Sequence, residues 1–175
     1  MTVALLAVCL ILSLKPNGLS GHRTVNPQRE YFYEIDADGR LFHDGSELTD
    51  TRFLDFFFTH LKPNPGPLHS EYAFLSPCGR EMNYIKSSSP IVFRALMKFE
   101  TGTSLLYAGQ KLQPFMPEAL TLDASEQLYH PTEIGIAGRL GRHALLEISK
   151  FIYQEEGRYW IRWNSEQYCI ATKST

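Results

Sequence analysis

Cys78 is the side chain best suited to nucleophilic chemistry, because it lies in a Ser-Pro-Cys-Gly-Arg-Glu segment between two apolar runs. This segment predicts a turn that would expose the thiol, and the nearby Arg80 would favour the reactive thiolate. A catalytic cysteine also needs a histidine base within hydrogen-bond distance. The sequence offers none beside Cys78, so an enzyme would require folding to bring Arg80, Glu81 and His130 to the thiol.

Metal-ligating residues show no motif with the required spacing. The 6 histidines are scattered, and neither H-E-x-x-H nor C-x-x-C occurs, whereas a zinc site needs three or four convergent ligands. Asp36 and Asp38 invite comparison with a calcium-binding loop, but Gly39 follows too early for an EF-hand, which needs its glycine at the sixth position. We therefore predict a solvated turn here, and neither a metal nor a cofactor for the protein.

The glycine-rich segment 135–141 is a candidate anion site. It is predicted to lead into a helix, whose N-terminus would attract negative charge, and Arg139 and Arg142 would lie beside it. The spacing is not G-x-G-x-x-G, and the chain contains no P-loop motif. A loop before a helix is therefore the simpler interpretation, with Arg139 kept as a candidate binding residue.

Basic and aromatic residues alternate near the end of the chain, where Arg158, Trp160 and Arg162 would share one face of a strand. Such a face could stack nucleic-acid bases. The chain as a whole has 17 basic and 19 acidic residues, so it lacks the positive charge typical of nucleic-acid-binding domains. We predict a terminal strand with one packed face, and no nucleic-acid partner.

The helices and the first hairpin follow from the apolar pattern. Aromatic residues alternate through residues 31–44 on both sides of an Asp-Gly pair, which predicts a β-hairpin with a type I′ turn. Apolar residues at helical spacing predict one helix over 50–61, capped by Thr49 or Asp50, and another over 139–152.

The strand pattern predicts an α+β protein. Strand-like runs occupy residues 72–76, 81–86, 91–99, 104–108, 120–122, 127–130, 158–163 and 166–172. The first half reads hairpin, helix, strands and the second half reads strands, helix, hairpin, which suggests two related halves. We expect antiparallel sheets, each packed with a helix, in one compact unit over 30–175. A division into repeats at 30–100 and 101–175 is the alternative.

Residues 1–29 are predicted to be a leader or targeting segment. Residues 3–14 are almost entirely apolar; they are too few to span a membrane, which takes ~20 residues, but they match the core of a signal peptide. No acidic residue precedes Glu30, while Lys15, Arg23 and Arg29 are basic, as in a mitochondrial presequence. Secretory and mitochondrial targeting both stay open, and we predict no transmembrane helix after the leader.

Several stretches resemble a known family. They are YFYEIDADGRLFHDG at 31–45, FLSPCGREMNYIK from Phe74, LYHP at 128–131 and IRW at 161–163. They are similar to the eukaryotic Uncharacterised Protein Family 0598, a domain of unknown function, and this resemblance implies a mitochondrial protein with no established activity.

The order of elements also resembles a bacterial domain of unknown function, numbered 1285. That resemblance implies a duplicated α+β fold, a C-terminal half superficially similar to pleckstrin-homology domains, and a ligand site between the halves.

These observations predict a non-catalytic binding or adaptor protein, because no catalytic, metal or nucleotide motif is present. Its partner would be an unknown protein or a small ligand. The alternatives are an enzyme centred on Cys78 and a small-ligand carrier with an apolar pocket between the halves. The candidate binding residues are Arg80, Glu81, Asn83, Tyr84, His130 and Arg139.

Overall fold

The computed structural model describes residues 29–173. Its helices are α1 (Thr51–Thr59), a short 3-10 helix (Pro117–Ala119) and α2 (Arg142–Ser149). Its strands are β1 (Arg29–Ile35), β2 (Leu41–His43), β3 (Ser46–Glu47), β4 (Lys62–Pro63), β5 (Phe74–Cys78), β6 (Glu81–Lys86), β7 (Val92–Phe93), β8 (Ala95–Phe99), β9 (Gly102–Tyr107), β10 (Lys111–Pro114), β11 (Thr121–Leu122), β12 (Leu128–His130), β13 (Gly138–Leu140), β14 (Ile152–Glu155), β15 (Arg158–Trp163), β16 (Glu166–Cys169) and β17 (Ala171–Thr172). The predicted leader lies outside the described residues, except for Arg29.

The strands form four sheets. Sheet A has the order β3-β2-β1-β6-β5-β4, sheet B has β17-β11-β12-β13-β7, sheet C has β10-β9-β8 and sheet D has β14-β15-β16. The predicted α+β class is confirmed. Sheets C and D are antiparallel, whereas sheets A and B also contain the parallel pairs β1–β6, β7–β13 and β11–β17. From Arg29 to Lys173, no helix is long and apolar enough to cross a bilayer.

The helix predicted over 50–61 is confirmed as α1. The carboxylate of Asp50 accepts a hydrogen bond from the backbone N–H of Phe53 at 2.7 Å, which satisfies one of the unpaired donors at the helix start. Phe57 and Phe58 are buried on one face of the helix, and α1 packs against β5 of sheet A. The amphipathic pattern and the cap both come from local sequence, so this element could be predicted.

The turn between β1 and β2 differs from the predicted type I′ turn. That turn needs a positive φ at both central residues, whereas here Gly39 has a φ of 79° and Asp38 does not have a positive φ. The Asp36 carboxylate instead accepts hydrogen bonds from the backbone N–H groups of Asp38 and Arg40, both at 2.9 Å. The same carboxylate also pairs with the Arg40 guanidinium at 2.6 Å. These contacts stabilise a longer loop.

The strand predicted over 91–99 is two strands in different sheets. Val92 and Phe93 form β7 in sheet B, and the chain passes Arg94 into β8 of sheet C. The strand predicted over 166–172 is likewise divided, between β16 and β17. Strands 127–130 and 120–122, expected at sheet edges, lie inside sheet B as β12 and β11. Alternation of apolar residues identifies a strand but not the sheet it joins.

The helix predicted over 139–152 begins later than expected. Residues 138–140 form β13, Gly141 precedes α2, and Ile152 belongs to β14. Leu140 fits the apolar spacing of the helix but is buried in the strand. A Cβ atom on Gly138 would lie 2.5 Å from the Phe93 ring, so glycine lets β13 approach β7 closely. This tertiary contact overrides the local helical pattern.

One apolar core extends through the described chain, from Tyr33 in β1 to Ile170 beside β17. Phe57, Phe93 and Ile161 are almost fully buried in it and come from sheets or helices of both halves. The domain organisation, one compact unit or two repeats, stays a prediction.

Replacing Phe57 or Phe93 with alanine is expected to lower the free energy of unfolding by ~3–5 kcal/mol, because each change leaves a cavity in the core. Phe56 is a matched control, since its side chain is exposed on the same helix. Phe56→Ala should cost less than ~1 kcal/mol. Urea unfolding of the three variants measures this, and equal losses for Phe56→Ala and Phe57→Ala would contradict the core assignment.

Candidate functional site

Arg80 and Glu81 lie where β5 turns into β6. Arg80 is exposed, and its backbone carbonyl accepts a hydrogen bond from the N–H of Arg29 at 3.3 Å. The carboxylate of Glu81 faces the guanidinium of Arg29 at 3.9 Å rather than that of Arg80. The Glu81 contact is a loose surface ion pair, which contributes little to stability. Both residues therefore help to hold the start of β1 against β6, and the Arg80 side chain is left facing solvent.

Asn83 has a structural position inside sheet A. It is buried, and its side-chain amide donates a hydrogen bond to the carbonyl of Ser76 at 2.7 Å. The hydroxyl of Ser76 in turn donates to the carbonyl of Phe57 at 2.8 Å. These bonds link β6 to β5 and β5 to the end of α1. Buried polar groups need such partners, and Asn83 is not available to a ligand at the surface.

Tyr84 points to the opposite face of sheet A from Asn83, because successive strand residues alternate. It belongs to an aromatic cluster with Phe32, His69 and Tyr72. Its ring stacks on Phe32 with centroids 5.7 Å apart and meets His69 edge-on at 4.5 Å. His69 also contacts the carboxylate of Glu30 at 3.2 Å. Burial raises the pKa of Tyr84, and the neighbouring Glu30 carboxylate raises it further.

The loop before β5 places His69 and Tyr72 over this face. The side-chain amide of Asn64 donates hydrogen bonds to the carbonyls of Leu68, His69 and Tyr72 at 3.1, 3.2 and 3.0 Å. His69 has a φ of 51°, a conformation that non-glycine residues rarely adopt. The loop therefore covers part of the apolar outer face of sheet A, and Phe32 on that face remains 38% exposed.

His130 is fully buried in sheet B, between the rings of Phe93 and Phe115. Its Nε2 accepts a hydrogen bond from the backbone N–H of Met116 at 3.0 Å. Its Nδ1 lies 2.8 Å from the carbonyl of Pro131, so Nδ1 carries the proton of a neutral ring. Burial lowers the pKa of His130. The ring joins the 116–117 segment to β12 and has no nitrogen left for chemistry.

Arg139 is in strand β13, not at a helix N-terminus. Its guanidinium donates to the carbonyl of Ala37 in the β1–β2 turn, so it connects sheet B to sheet A. Its backbone pairs with Val92 and Tyr129 on the two sides. The glycine-rich segment around it therefore does not form the anion site considered from the sequence.

The six candidate residues do not form one surface. Asn83 and His130 are interior, Tyr84 lies on the outer face of sheet A, Arg139 bridges two sheets, and the Arg80–Glu81 pair closes the β5–β6 end. Sequence reasoning selected them by chemical type, and residue type does not reveal burial.

The arrangement required for a cysteine enzyme is not formed with His130. Cys78 ends strand β5 rather than occupying an exposed turn, and only about 9% of its surface is exposed. Both nitrogens of His130 contact backbone groups of Met116 and Pro131. Within residues 29–173, no group of three or more His, Cys, Asp or Glu side chains is placed to hold a metal ion.

A cleft of about 160 Å³ lies where the first half meets the second, between the start of α1 and the β9–β10 turn. The guanidinium of Arg94 borders it and donates to the carbonyls of Ala108 and Gly109. The Asp55 carboxylate accepts from the N–H of Gln110 at 2.9 Å on the same turn. Ligand pockets usually enclose ~300–1,000 Å³, so this cleft is small for the proposed carrier.

A second cleft of about 450 Å³ lies between the β11–β12 turn and sheet D. Its walls include Asp123, Glu126, Arg158 and the free thiol of Cys169. The carboxylate of Glu126 accepts a hydrogen bond from the Tyr159 hydroxyl at 3.0 Å across it. The walls are mixed, with Leu122, Ala124 and Ile170 beside the charged side chains.

The outer face of sheet C was missed by sequence reasoning. Cross-strand pairs share a face, and the strand register places these residues together: Ala95, Met97, Phe99, Ser104, Leu106, Leu112 and Pro114. Met97, Phe99 and Leu112 are 38%, 47% and 47% exposed. The opposite face carries the buried Leu105 and Tyr107. The outer face of sheet C is therefore apolar, free of charge and open to solvent.

The sequence did contain a signal for this face. Apolar residues occur on both faces of β8 and β9, including Leu96 and Leu105 on the inner face. A strand that is apolar on both faces predicts burial on both faces, and in the described structure only one of them is covered.

A family model described as a domain of unknown function (DUF4505) matches residues 20–174. A DUF1285 family protein from Silicibacter pomeroyi DSS-3 has a similar structure, with a TM-score of 0.57, 14% sequence identity, and coverage of 89% of this chain and 90% of that one. A DUF1285 family protein from Shewanella baltica OS155 gives a TM-score of 0.49 at 18% identity, covering 69% and 91%. The resemblance to an uncharacterised domain, and distantly to the bacterial family 1285, is confirmed; the first of these structures shows the fold alone.

Stability is expected to fall as the pH decreases below ~6.5, the pKa of an unfolded histidine. His130 is neutral in the fold and its pKa is lowered by burial, so the unfolded chain takes up the proton more readily. The stabilisation is complete above ~6.5 and is lost as the pH falls through the folded pKa. Urea unfolding between pH 7.5 and 5.5 measures this.

His130→Gln should remove much of this pH dependence, and His143→Gln, at an exposed position on α2, is the matched control. If His130→Gln does not fold, an NMR titration of the His130 ring in the parent protein measures its folded pKa instead. A His130 ring that titrates at or above the unfolded value would contradict the argument.

Proposed function

The chain belongs to the DUF4505 family, a domain of unknown function, and we propose that it is a non-catalytic module that binds a partner protein. The outer face of sheet C is the observation that carries this proposal. A contiguous, uncharged apolar face open to solvent is a candidate interaction site in a soluble domain. The partner segment would present an uncharged, apolar surface to Met97, Phe99 and Leu112.

The inner face of sheet C supports this role because its packing in the core holds the side chains of the outer face in place. Leu105 and Tyr107 are buried beneath the sheet, and the Arg94 guanidinium holds the β9–β10 turn through the carbonyls of Ala108 and Gly109. The outer side chains are therefore presented on a rigid platform. A rigid contact surface loses little conformational freedom when a partner binds.

The contrast with sheet A also supports the proposal. There, the 64–73 loop places His69 and Tyr72 over Phe32 and Tyr84. The chain therefore covers part of that sheet face, Tyr84 above all, with its own residues. On sheet C, the corresponding surface would be covered by the partner.

The alternatives have less support. The enzyme would need His130 beside Cys78, and both nitrogens of His130 contact the backbone elsewhere. The carrier would need an apolar pocket between the halves, and the cleft there measures about 160 Å³.

Leu112→Glu is expected to abolish capture of the partner while leaving the fold intact, because an unpaired carboxylate would be buried in an apolar contact. Leu146→Glu is the matched control, since Leu146 lies on α2 and is 53% exposed against 47% for Leu112. Quantitative affinity purification of the tagged proteins identifies the candidate partner. Titration of the purified partner by calorimetry should then show at least ~10-fold weaker binding to Leu112→Glu.

Thermal unfolding should be alike for the two leucine variants and the parent. Partner binding that survives Leu112→Glu, or that is lost equally in Leu146→Glu, would remove sheet C from the proposal.

We further propose that the protein acts in mitochondria. The family resemblance supports this, as does the lack of acidic residues before Glu30. Residues 1–29 fused to a fluorescent protein are expected to direct it to mitochondria in cultured cells. Replacing Lys15, Arg23 and Arg29 with glutamine should reduce import, because presequences depend on basic residues. Entry of the fusion into the secretory pathway would contradict the proposal.

A further inference from the structure

The cleft between the β11–β12 turn and sheet D has the size of a small-molecule site. Its volume of about 450 Å³ lies within the ~300–1,000 Å³ that ligand pockets usually enclose. Its walls come from two sheets, because β17 is the edge strand of sheet B, and β15 and β16 belong to sheet D. None of the residues that line it belongs to sheet C.

Two carboxylates give one wall of this cleft a negative charge. Asp123 Oδ1 accepts hydrogen bonds from the backbone N–H groups of Gln127 and Ser125 at 2.9 and 2.8 Å. These bonds, that from Gln127 above all, lower the pKa of Asp123, so its carboxylate stays ionised at neutral pH. The carboxylate of Glu126 is oriented by the Tyr159 hydroxyl, which donates to it at 3.0 Å.

Arg158 brings a positive charge to the same cleft. It is exposed at the start of β15. Glu155 is its neighbour across the strand pair, yet within residues 29–173 no carboxylate forms an ion pair with its guanidinium. A guanidinium presents a fork of N–H donors that matches a carboxylate. The cleft therefore offers a carboxylate-binding group that the described protein does not itself neutralise.

The rest of the lining provides apolar surface and backbone hydrogen-bonding groups. Leu122, Ala124 and Ile170 are among the lining residues. The N–H of Lys173 donates to the carbonyl of Leu122 at 2.7 Å, so the backbone groups of Thr172 point away from β11, because successive residues of a strand face opposite sides. Since β17 is an edge strand, these groups have no strand partner.

We propose that this cleft binds a small zwitterion of the α-amino-acid class. Its ammonium group would face Asp123 and Glu126, and its carboxylate would face Arg158. A ligand with only negative charge is repelled by the two carboxylates, and one with only positive charge is repelled by the guanidinium. A molecule that carries both charges forms charge-assisted hydrogen bonds to both walls.

This inference goes beyond the proposed function, because the cleft and the outer face of sheet C share no residue. A result at one of them therefore leaves the other unaffected.

Titration of the purified full chain, followed through its backbone amide NMR signals, tests the ligand class. Leucine and glycylleucine are the zwitterionic probes. Isoamylamine and isocaproate are matched analogues of leucine that lack its carboxylate and its ammonium group, respectively. At least one zwitterion is expected to shift the amide signals of Ala171 and Thr172. Each analogue should bind at least ~10-fold more weakly than leucine, because one charge-assisted pair is lost.

Three variants test the assigned residues with the zwitterion that binds. Arg158→Gln should weaken its binding at least ~10-fold, because the ligand carboxylate loses its partner. Glu126→Gln should weaken it as well, and the new amide can still accept from the Tyr159 hydroxyl. Arg162→Gln is the matched control, since Arg162 is exposed on the same face of β15 but does not line the cleft. The spectra of the unliganded variants report whether each one is folded.

The other outcomes overturn the inference in distinguishable ways. No shift at Ala171 and Thr172 with either zwitterion up to ~10 mM would remove the site. Isocaproate binding as tightly as leucine would indicate a simple anion site, and isoamylamine doing so would indicate a simple cation site. Equal losses in Arg158→Gln and Arg162→Gln would show that general surface charge, and not the cleft, holds the ligand.

Discussion

The two-residue strand β7 is the constraint on which the rest of the fold depends. Val92 and Phe93 are buried and pair with Arg139 and Leu140 of β13. Gly138 allows this approach, since a Cβ there would lie 2.5 Å from the Phe93 ring, and a Cβ on Gly39 would lie 2.8 Å from Val92. Side chains at these glycines would push the strand away from both neighbours. Close packing here is therefore a condition for joining sheet A, sheet B and the first hairpin.

Two arginine contacts extend from this junction to distant parts of the chain. The Arg139 guanidinium reaches the carbonyl of Ala37 from β13, and the Arg94 guanidinium, directly after β7, holds the β9–β10 turn. The same few residues thus hold the β1–β2 hairpin and position sheet C. The binding face proposed here is positioned by the core and not by a separate loop.

Sequence reasoning succeeded where the information was local. The Asp50 cap and the Phe57–Phe58 pair define α1 without any distant contact, and the α+β class follows from the order of elements. The prediction from sequence failed where tertiary contacts determine the secondary structure. Leu140 fits a helical spacing but lies in β13, because glycine-permitted contact with Phe93 favours the strand. For the site, residue type suggested His130 as a binding group, whereas burial gives it a structural role. The face of sheet C depends on strand register, which a single sequence does not specify.

The pairing of β7 with β13 also has a consequence for synthesis on the ribosome. Val92 cannot pair with β13 until Arg139 has been made. In the same way, β1 cannot pair with β6 until residues 81–86 have been made. Such distant pairings raise the contact order and slow folding. The nascent first half would therefore emerge with Phe93 exposed. It could not complete its own core before the second half has been made, as an independent domain does during translation. Because the core extends to Ile170, the chain completes it only after nearly all of its residues have left the exit tunnel.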